Sequence, residues 1–432
     1  MEYMEKAIAL APDVAALHTQ LAIGQLIEGD VDQAVSELQA AVDLEQGLYQ
    51  ADLMLVLIYL QKKDFDNALT AAEALMVKMP ESPVPLNLKG AALLGRGDQQ
   101  ESRNAFEAAL RIQPDFIPAH LNLARPDLLG GVTAAAEARY RKVLTQDAGN
   151  LKALLALAAL GQRDGRIEET EKHLKAALEH HPDETKPALM LVEYYLQQDD
   201  KRRALDLARE IAVAQPRNPV ALNALVVVQL QSGDYKDALG TLRSLVEVDP
   251  ASPNAHFQLG LVQVKLDNVD AARESLQRAI ELQPDFPSAQ VVLGRIEIVE
   301  KEYDAALAIA GQLREAHPDA AYSDELEGDV HASRNEHPQA AGAYTTAYGK
   351  TPGAQLAQKL YQSHLKAGEK ESAYEALRQW LSDNPEDTNT RSLLAMALHA
   401  SGEQQQAEAE YRMVLEYDPD NTMILNNLAW LY

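Results

Sequence analysis

The chain contains no cysteine in 432 residues. Disulfides, thiolate nucleophiles and thiolate metal sites are excluded together. Large aromatics are scarce: five Phe and two Trp leave core packing to Ala and Leu. Positive charge is in deficit, with 39 Lys plus Arg against 65 Asp plus Glu and a net charge of −26. A duplex nucleic-acid binder needs a basic face, so that class is excluded. Docking on an anionic lipid surface is excluded for the same reason. Long apolar runs are also missing. The longest mostly apolar stretches, such as 151–160 and 220–230, fall well short of the roughly 18 residues of a membrane span. The first residues, Met1-Glu2-Tyr3-Met4-Glu5-Lys6, lack the basic-then-apolar order of a signal peptide.

What the chain does have is a repeat. Its apolar content of 47% marks an ordered protein, and length alone suggests two to four domains of about 100–200 residues each. Self-similarity replaces that estimate. Proline recurs at Pro80, Pro114, Pro182, Pro216, Pro250, Pro284, Pro318 and Pro352 on a 34-residue grid. Pro12 shares the grid, and Pro385 and Pro419 continue it after the loss of one residue. Of 13 grid points only Gln46 and Ala148 are not proline.

Between the prolines each unit reads as two amphipathic helices. In 219–252 the first carries Leu222, Leu225, Val226 and Gln229, and the second carries Ala238, Leu242 and Leu245. These spacings put the apolar side chains on one helical face. The residue between the helices is Gly in seven of twelve units, and Asp199, Asp267 and Asn335 in three more. That composition predicts a left-handed residue ending each first helix. Lys63 and Lys301 are the exceptions. Prolines early in first helices, such as Pro83, Pro118 and Pro187, sit where the missing N–H costs little. Early in the second helix Ala occupies ten of twelve equivalent positions, with Ser102 and Thr170 in the others, so the helix axes are expected to approach closely. One such pair cannot bury its own apolar face and must stack on the next.

These features resemble the tetratricopeptide repeat (TPR), whose pattern appears at Leu259-Gly260, Ala272, Leu276, Ala279 and Pro284. The resemblance implies an all-α, right-handed superhelix of twelve complete units over 15–421. A second-helix half-unit at 1–14 precedes it and a lone first helix at 422–432 follows. Both ends stop inside a repeat, so a piece of a longer chain is expected. A narrower resemblance, carried by the segments 83–95, 151–158 and 425–432, is to the PEP-CTERM-system TPR-repeat lipoproteins (PrsT-type). It implies a place in the bacterial envelope or periplasm, exosortase sorting, exopolysaccharide production and a lipid anchor outside this sequence.

No catalytic constellation emerges, and no cofactor or metal site is expected. His180-His181 reads as a helix C-terminal cap. Gly90…Gly95-Arg96-Gly97-Asp98 follows no strand and lacks the Gly-Lys-Ser/Thr ending of a phosphate loop. The abundant carboxylates are expected on solvated helix faces.

A surface remains. In the resembled family the first helices line a concave groove, which here would include Arg125, Lys152, Arg163 and Lys186, then Asn223, Asn254, Phe257 and Lys265, then Arg295 and Tyr322. The Lys/Asn pair of a chaperone carboxylate clamp is absent from every unit. An asparagine ladder like that of O-GlcNAc transferase-like arrays is reduced to Asn122 and Asn427. The basic residues suit an acidic peptide or acidic polysaccharide. The expected function is a non-enzymatic protein- or peptide-binding scaffold. A substrate-guiding arm of a larger enzyme such as a glycosyltransferase is the alternative, and a co-chaperone comes third. Two irregularities carry expectations of their own. Pro126, deep in a first helix, predicts a kink or late start. The shortened unit after Pro352, with Tyr361 and Trp380, is the expected joint in the stack.

Overall fold

The computed structural model describes residues 2–44 and 49–431. Met1, Gln46 and Tyr432, assigned above to the leading half-unit, the proline grid and the final helix, lie outside the described residues. Among the described residues there are 26 α-helices and no strand, numbered in chain order from α1 (Glu2–Leu10) to α26 (Thr422–Leu431). The architecture is all-α. Even-numbered helices are first helices, and each from α2 to α24 leads through a tight turn to an odd-numbered second helix. The helices form two compact units, residues 1–211 and 212–432. Each unit is a stack of such pairs, with its core between the helices.

The turns follow from one backbone conformation. Where α14 (Pro219–Ser232) meets α15 (Tyr235–Val248), Gly233 has φ 78°. Its N–H reaches the Leu230 carbonyl at 3.1 Å, and the Asp234 N–H reaches the Gln229 carbonyl at 2.8 Å. This is a Schellman closure. All twelve turn residues take positive φ: seven Gly, and Lys63, Asp199, Asp267, Lys301 and Asn335 at 56–65°. The two lysines set apart by the sequence conform as well. They carry an αL cost of about 1–2 kcal/mol, held in place by the same closure, with Asp64 N–H on the Tyr59 carbonyl and Glu302 N–H on the Glu297 carbonyl.

Close approach is equally regular. Ten alanines from Ala34 to Ala407, together with Ser102 and Thr170, are fully buried early in the second helices. The two hydroxyls donate to the carbonyls of Gly90 and Arg166, so neither is stranded. One turn later stands a larger residue such as Phe106, Leu276 or Tyr344. Each lies over a helical glycine (Gly90, Gly260 and Gly328) at distances where a Cβ would meet the side chain at 2.5–2.8 Å.

The structure bears on two expectations. The helix holding Pro126, α8 (Ile117–Leu129), starts in register with α6 (Pro83–Arg96) and α10 (Leu151–Arg163) and runs unbroken through the proline. Its start is not delayed. At the shortened unit after Pro352, the expected joint, the helices are intact. The missing residue comes out of the loop between α21 (His337–Lys350) and α22 (Ala354–Lys366), so no helix is shortened. One apolar cluster then continues from Ala340 through Tyr361 and Tyr374 to Ile424, with Trp380 packed against it.

Trp380 also reports on a cap. Its indole N–H donates to Asp387 Oδ2 at 2.7 Å, while the N–H groups of Asn389 and Thr390 donate to Oδ1. Burial pushes the Asp387 carboxyl up, but these bonds and that of the Thr390 hydroxyl outweigh it and hold it below the ordinary value. A depressed folded-state pKa contributes stability that is present above the ordinary carboxylate range and lost as pH falls through the folded value. In a Trp430→Phe background, Trp380 fluorescence is expected to show the C-terminal helices loosening on acidification below about pH 4. Asp387→Ala is expected to cost about 1 kcal/mol at neutral pH and to flatten that acid response. An unchanged acid transition in the variant refutes the assignment.

Candidate functional site

The first helices position the candidate residues. In the unit 1–211, α6, α8, α10 and α12 (Thr185–Gln197) carry six cations: Lys89, Arg96, Arg125, Lys152, Arg163 and Lys186. Their acids are Asp127, which is buried, and the exposed Glu193. Arg125, Lys152 and Lys186 are exposed and have no ion pair among the described residues. Arg163 is different. Its guanidinium donates to Asp164 at 2.9 Å and to Thr133 at 3.3 Å, and the Asp164 bond raises its pKa. Lys89 and Arg96 are paired to Glu73 and to Asp66 and Asp98. Amide pairs link neighbouring first helices: Asn122 donates to Asn87 at 3.0 Å, and Gln162 to Gln197 at 2.5 Å.

In the unit 212–432 the remaining candidates divide by chemistry. Asn223 and Asn254 are exposed. The Phe257 ring lies 5.0 Å from Phe286, and Tyr322 meets the edge of His317 at 5.8 Å. Lys265 is exposed and unpaired among the described residues, whereas Arg295 reaches Glu325 at 3.4 Å. Of six expected groove cations, four are thus free of partners and two are not. The sequence reading missed Lys359, which bridges Glu325 at 2.7 Å and Asp329 at 2.5 Å. Tyr344 donates to the same Asp329 at 2.7 Å. Burial, followed by the Asp329 charge, pushes the Tyr344 phenol well above its ordinary pKa. The legible signal was opposite charge one repeat apart, at Glu325 and Lys359.

Known proteins match along the stack. Residues 67–301, more than half of the chain, match the family described as tetratricopeptide repeat protein 21 second ARM domain. This chain belongs to the tetratricopeptide repeat (TPR) family. Residues 249–370 match a tetratricopeptide repeat-like domain, and 19–83 and 364–431 match tetratricopeptide repeats. A 75-residue stretch is 41% identical to cellulose synthase operon protein C of Xanthomonas axonopodis pv. citri (strain 306). That match covers 17% of this chain and only 5% of the relative's length. Among solved structures, yeast Tom70 is 12% identical, with 96% of this chain and 94% of that one covered at a TM-score of 0.45. A tetratricopeptide repeat protein from Parabacteroides merdae ATCC 43184 is 14% identical, with 65% and 98% covered at a TM-score of 0.42.

The TPR scaffold also hides charge that the sequence reading placed in solvent. Asp52, Asp127, Glu297 and Asp324 are buried. At matching repeat positions, Asp52 pairs with Lys78 at 2.6 Å and Asp324 with Lys350 at 2.5 Å. A second pair of positions joins one TPR motif to the next. Arg103 faces Asp127 at 2.5 Å, Arg273 donates to Glu297 at 2.9 Å, and Tyr195 donates to Glu171 at 3.1 Å. In the last pair donor and acceptor have changed places along the chain. A third device serves the TPR junctions. His18, His120 and His256 bond the carbonyl of the proline six residues earlier, at 2.9, 2.9 and 3.2 Å, and Arg391 does the same for Pro385 at 3.1 Å. This accounts for three of the eleven histidines as structural bridges. Among the described residues no helix is long and apolar enough to cross a membrane.

Proposed function

We propose that this TPR chain is a non-catalytic scaffold that gathers proteins of a bacterial envelope assembly concerned with polysaccharide, holding acidic peptide segments on the first helices of 1–211. The setting is supported by the local identity to a cellulose synthase operon protein and by the resemblance to PEP-CTERM-system lipoproteins. The ligand reading rests on one observation. In a protein of net charge −26, the first helices α6, α8, α10 and α12 expose cations against the single exposed acid Glu193, and Arg125, Lys152 and Lys186 have no internal partner among the described residues. Such a local field concentrates and orients an acidic ligand.

The same face favours peptide over polysaccharide. Sugar rings stack on exposed aromatic faces, and the aromatic rings of these four helices, Tyr194 and Tyr195 with His120, are buried. Bonded amides such as Asn87 and Asn122 suit the N–H and C=O groups of an extended chain.

The triple variant Arg125→Glu, Lys152→Glu and Lys186→Glu tests the reading, with a fluorescein-labelled poly-glutamate peptide followed by anisotropy. Exposed pairs contribute about 0.2–1 kcal/mol each, so their reversal is expected to weaken binding about tenfold or more. Wild-type affinity is expected to fall steeply with salt. Equal affinity of the variant and the wild type overturns the proposal.

A further inference from the structure

Charge is nearly absent from one stretch of this charge-rich protein. Three consecutive first helices of 212–432, namely α14, α16 (Pro253–Lys265) and α18 (Pro287–Val299), have 14, 13 and 13 residues. Their charged residues are Lys265, Arg295 and Glu297, in a chain that is 24% charged. Glu297 is buried on Arg273, and Arg295 is taken by Glu325. Lys265 is then the one charge on these helices with no ion partner among the described residues.

Beside the exposed amides Asn223, Gln231 and Asn254 and the exposed Ser288, apolar side chains also stand at exposed positions. Val220 is 54% exposed and Val299 72%, and Leu261 and Val264 also face solvent. Phe257 of α16 and Val292 of α18 pack on a common apolar cluster, which joins the two helices. Leu261, Val264 and Lys265 lie within two turns of one another on α16. An exposed apolar pair beside a cation that has no internal counter-ion is a feature of partner recognition.

We infer that this face binds a partner segment with two or three apolar side chains beside a carboxylate, the carboxylate seated on Lys265 and the apolar groups on Leu261 and Val264. The inference rests on the scaffold reading and adds a second, chemically distinct specificity to it. An acidic segment without apolar residues leaves Leu261 and Val264 in water, whereas an apolar segment without a carboxylate leaves Lys265 without its counter-ion. Burial of the apolar groups supplies the affinity, and the ion pair fixes the direction of the segment.

Two probes separate the readings on the full chain: a fluorescein-labelled Leu/Ala peptide ending in a free carboxylate, and the poly-glutamate peptide used above. Leu261→Asp with Val264→Asp is expected to weaken the Leu/Ala peptide about tenfold or more and to leave poly-glutamate binding unchanged. Leu261 and Val264 are 36% and 39% exposed, so far-ultraviolet circular dichroism and unchanged poly-glutamate binding establish that the variant keeps its fold. Lys265→Glu is expected to weaken the Leu/Ala peptide severalfold, as is amidation of its C-terminus. Undiminished binding of the Leu/Ala peptide to the double variant overturns the inference. So does binding of poly-glutamate with no saturable binding of the Leu/Ala peptide. If neither peptide binds, the scaffold reading falls and this inference with it.

Discussion

Replacing Arg103 and Arg139 together by Met is expected to destabilise the region around α8 by about 3–5 kcal/mol. Asp127 is 1% exposed and has Arg103 Nη1 2.5 Å from one oxygen and Arg139 Nε 2.6 Å from the other. Methionine keeps most of the side-chain volume, so the change removes charge with little loss of packing. A carboxylate left alone in a dry site then loses its hydration with nothing in return. Each single substitution is expected to cost less, because the second guanidinium remains. The decisive comparison adds Asp127→Leu. Removing the stranded charge is expected to recover most of the loss, since apolar groups of similar size commonly replace a buried ion pair at little cost. Both tryptophans lie beyond residue 212, so native-state hydrogen exchange of the 117–129 amides is the suitable readout. A double variant within 1 kcal/mol of wild type, or a triple variant no better than the double, contradicts the assignment.

Phe106→Ala is the second large effect, expected at about 3–5 kcal/mol for a fully buried ring. Its cost comes from the cavity beside Gly90, where an added Cβ would stand 2.5 Å from the ring. Gly90→Ala alone forces the ring to move and is expected to cost about 1–3 kcal/mol. The two changes are not independent. In the double variant the new methyl enters the space the ring has left, so the combined loss is expected to fall short of the summed single losses by about 1 kcal/mol. Strict additivity in a double-mutant cycle, measured by far-ultraviolet circular dichroism during urea unfolding, refutes the proposed contact.

Whatever repeats locally in the sequence was legible in it. The proline grid and turn composition anticipated the left-handed residue after each first helix, and small-residue spacing anticipated the twelve buried contacts between paired helices. The buried charges were not legible. Arg103 and Asp127 are 24 residues apart on different helices, and periodicity alone shows Asp127 only as one of the many carboxylates expected on solvated helix faces. Its burial depends on the neighbouring motif supplying a cation at the matching place. The late start suggested by Pro126 does not occur, for a related reason. Interior proline disfavours an isolated helix, yet α8 is flanked by packed helices and its register is set by the stack. The candidate groove cations were chosen from repeat position and not sorted by pairing. Arg163 differs from the unpaired Lys152 through Asp164, which follows it directly in the sequence, and through Thr133, which only the fold brings near.

The loop between α21 and α22 bears on how such a chain changes length over evolution. It has lost a residue while the helices on either side keep their lengths and their common core. Junctions therefore absorb insertions and deletions that helix interiors would not. Recombination between any two proline-marked junctions rejoins the gene with every helix whole, so the array can gain or lose complete motifs without passing through an unfoldable intermediate. The inter-motif ion pairs limit that freedom. An exchange that separates Arg103 from Asp127 strands a buried charge, which makes those two motifs inherited together, while junctions without such a pair remain open to shuffling.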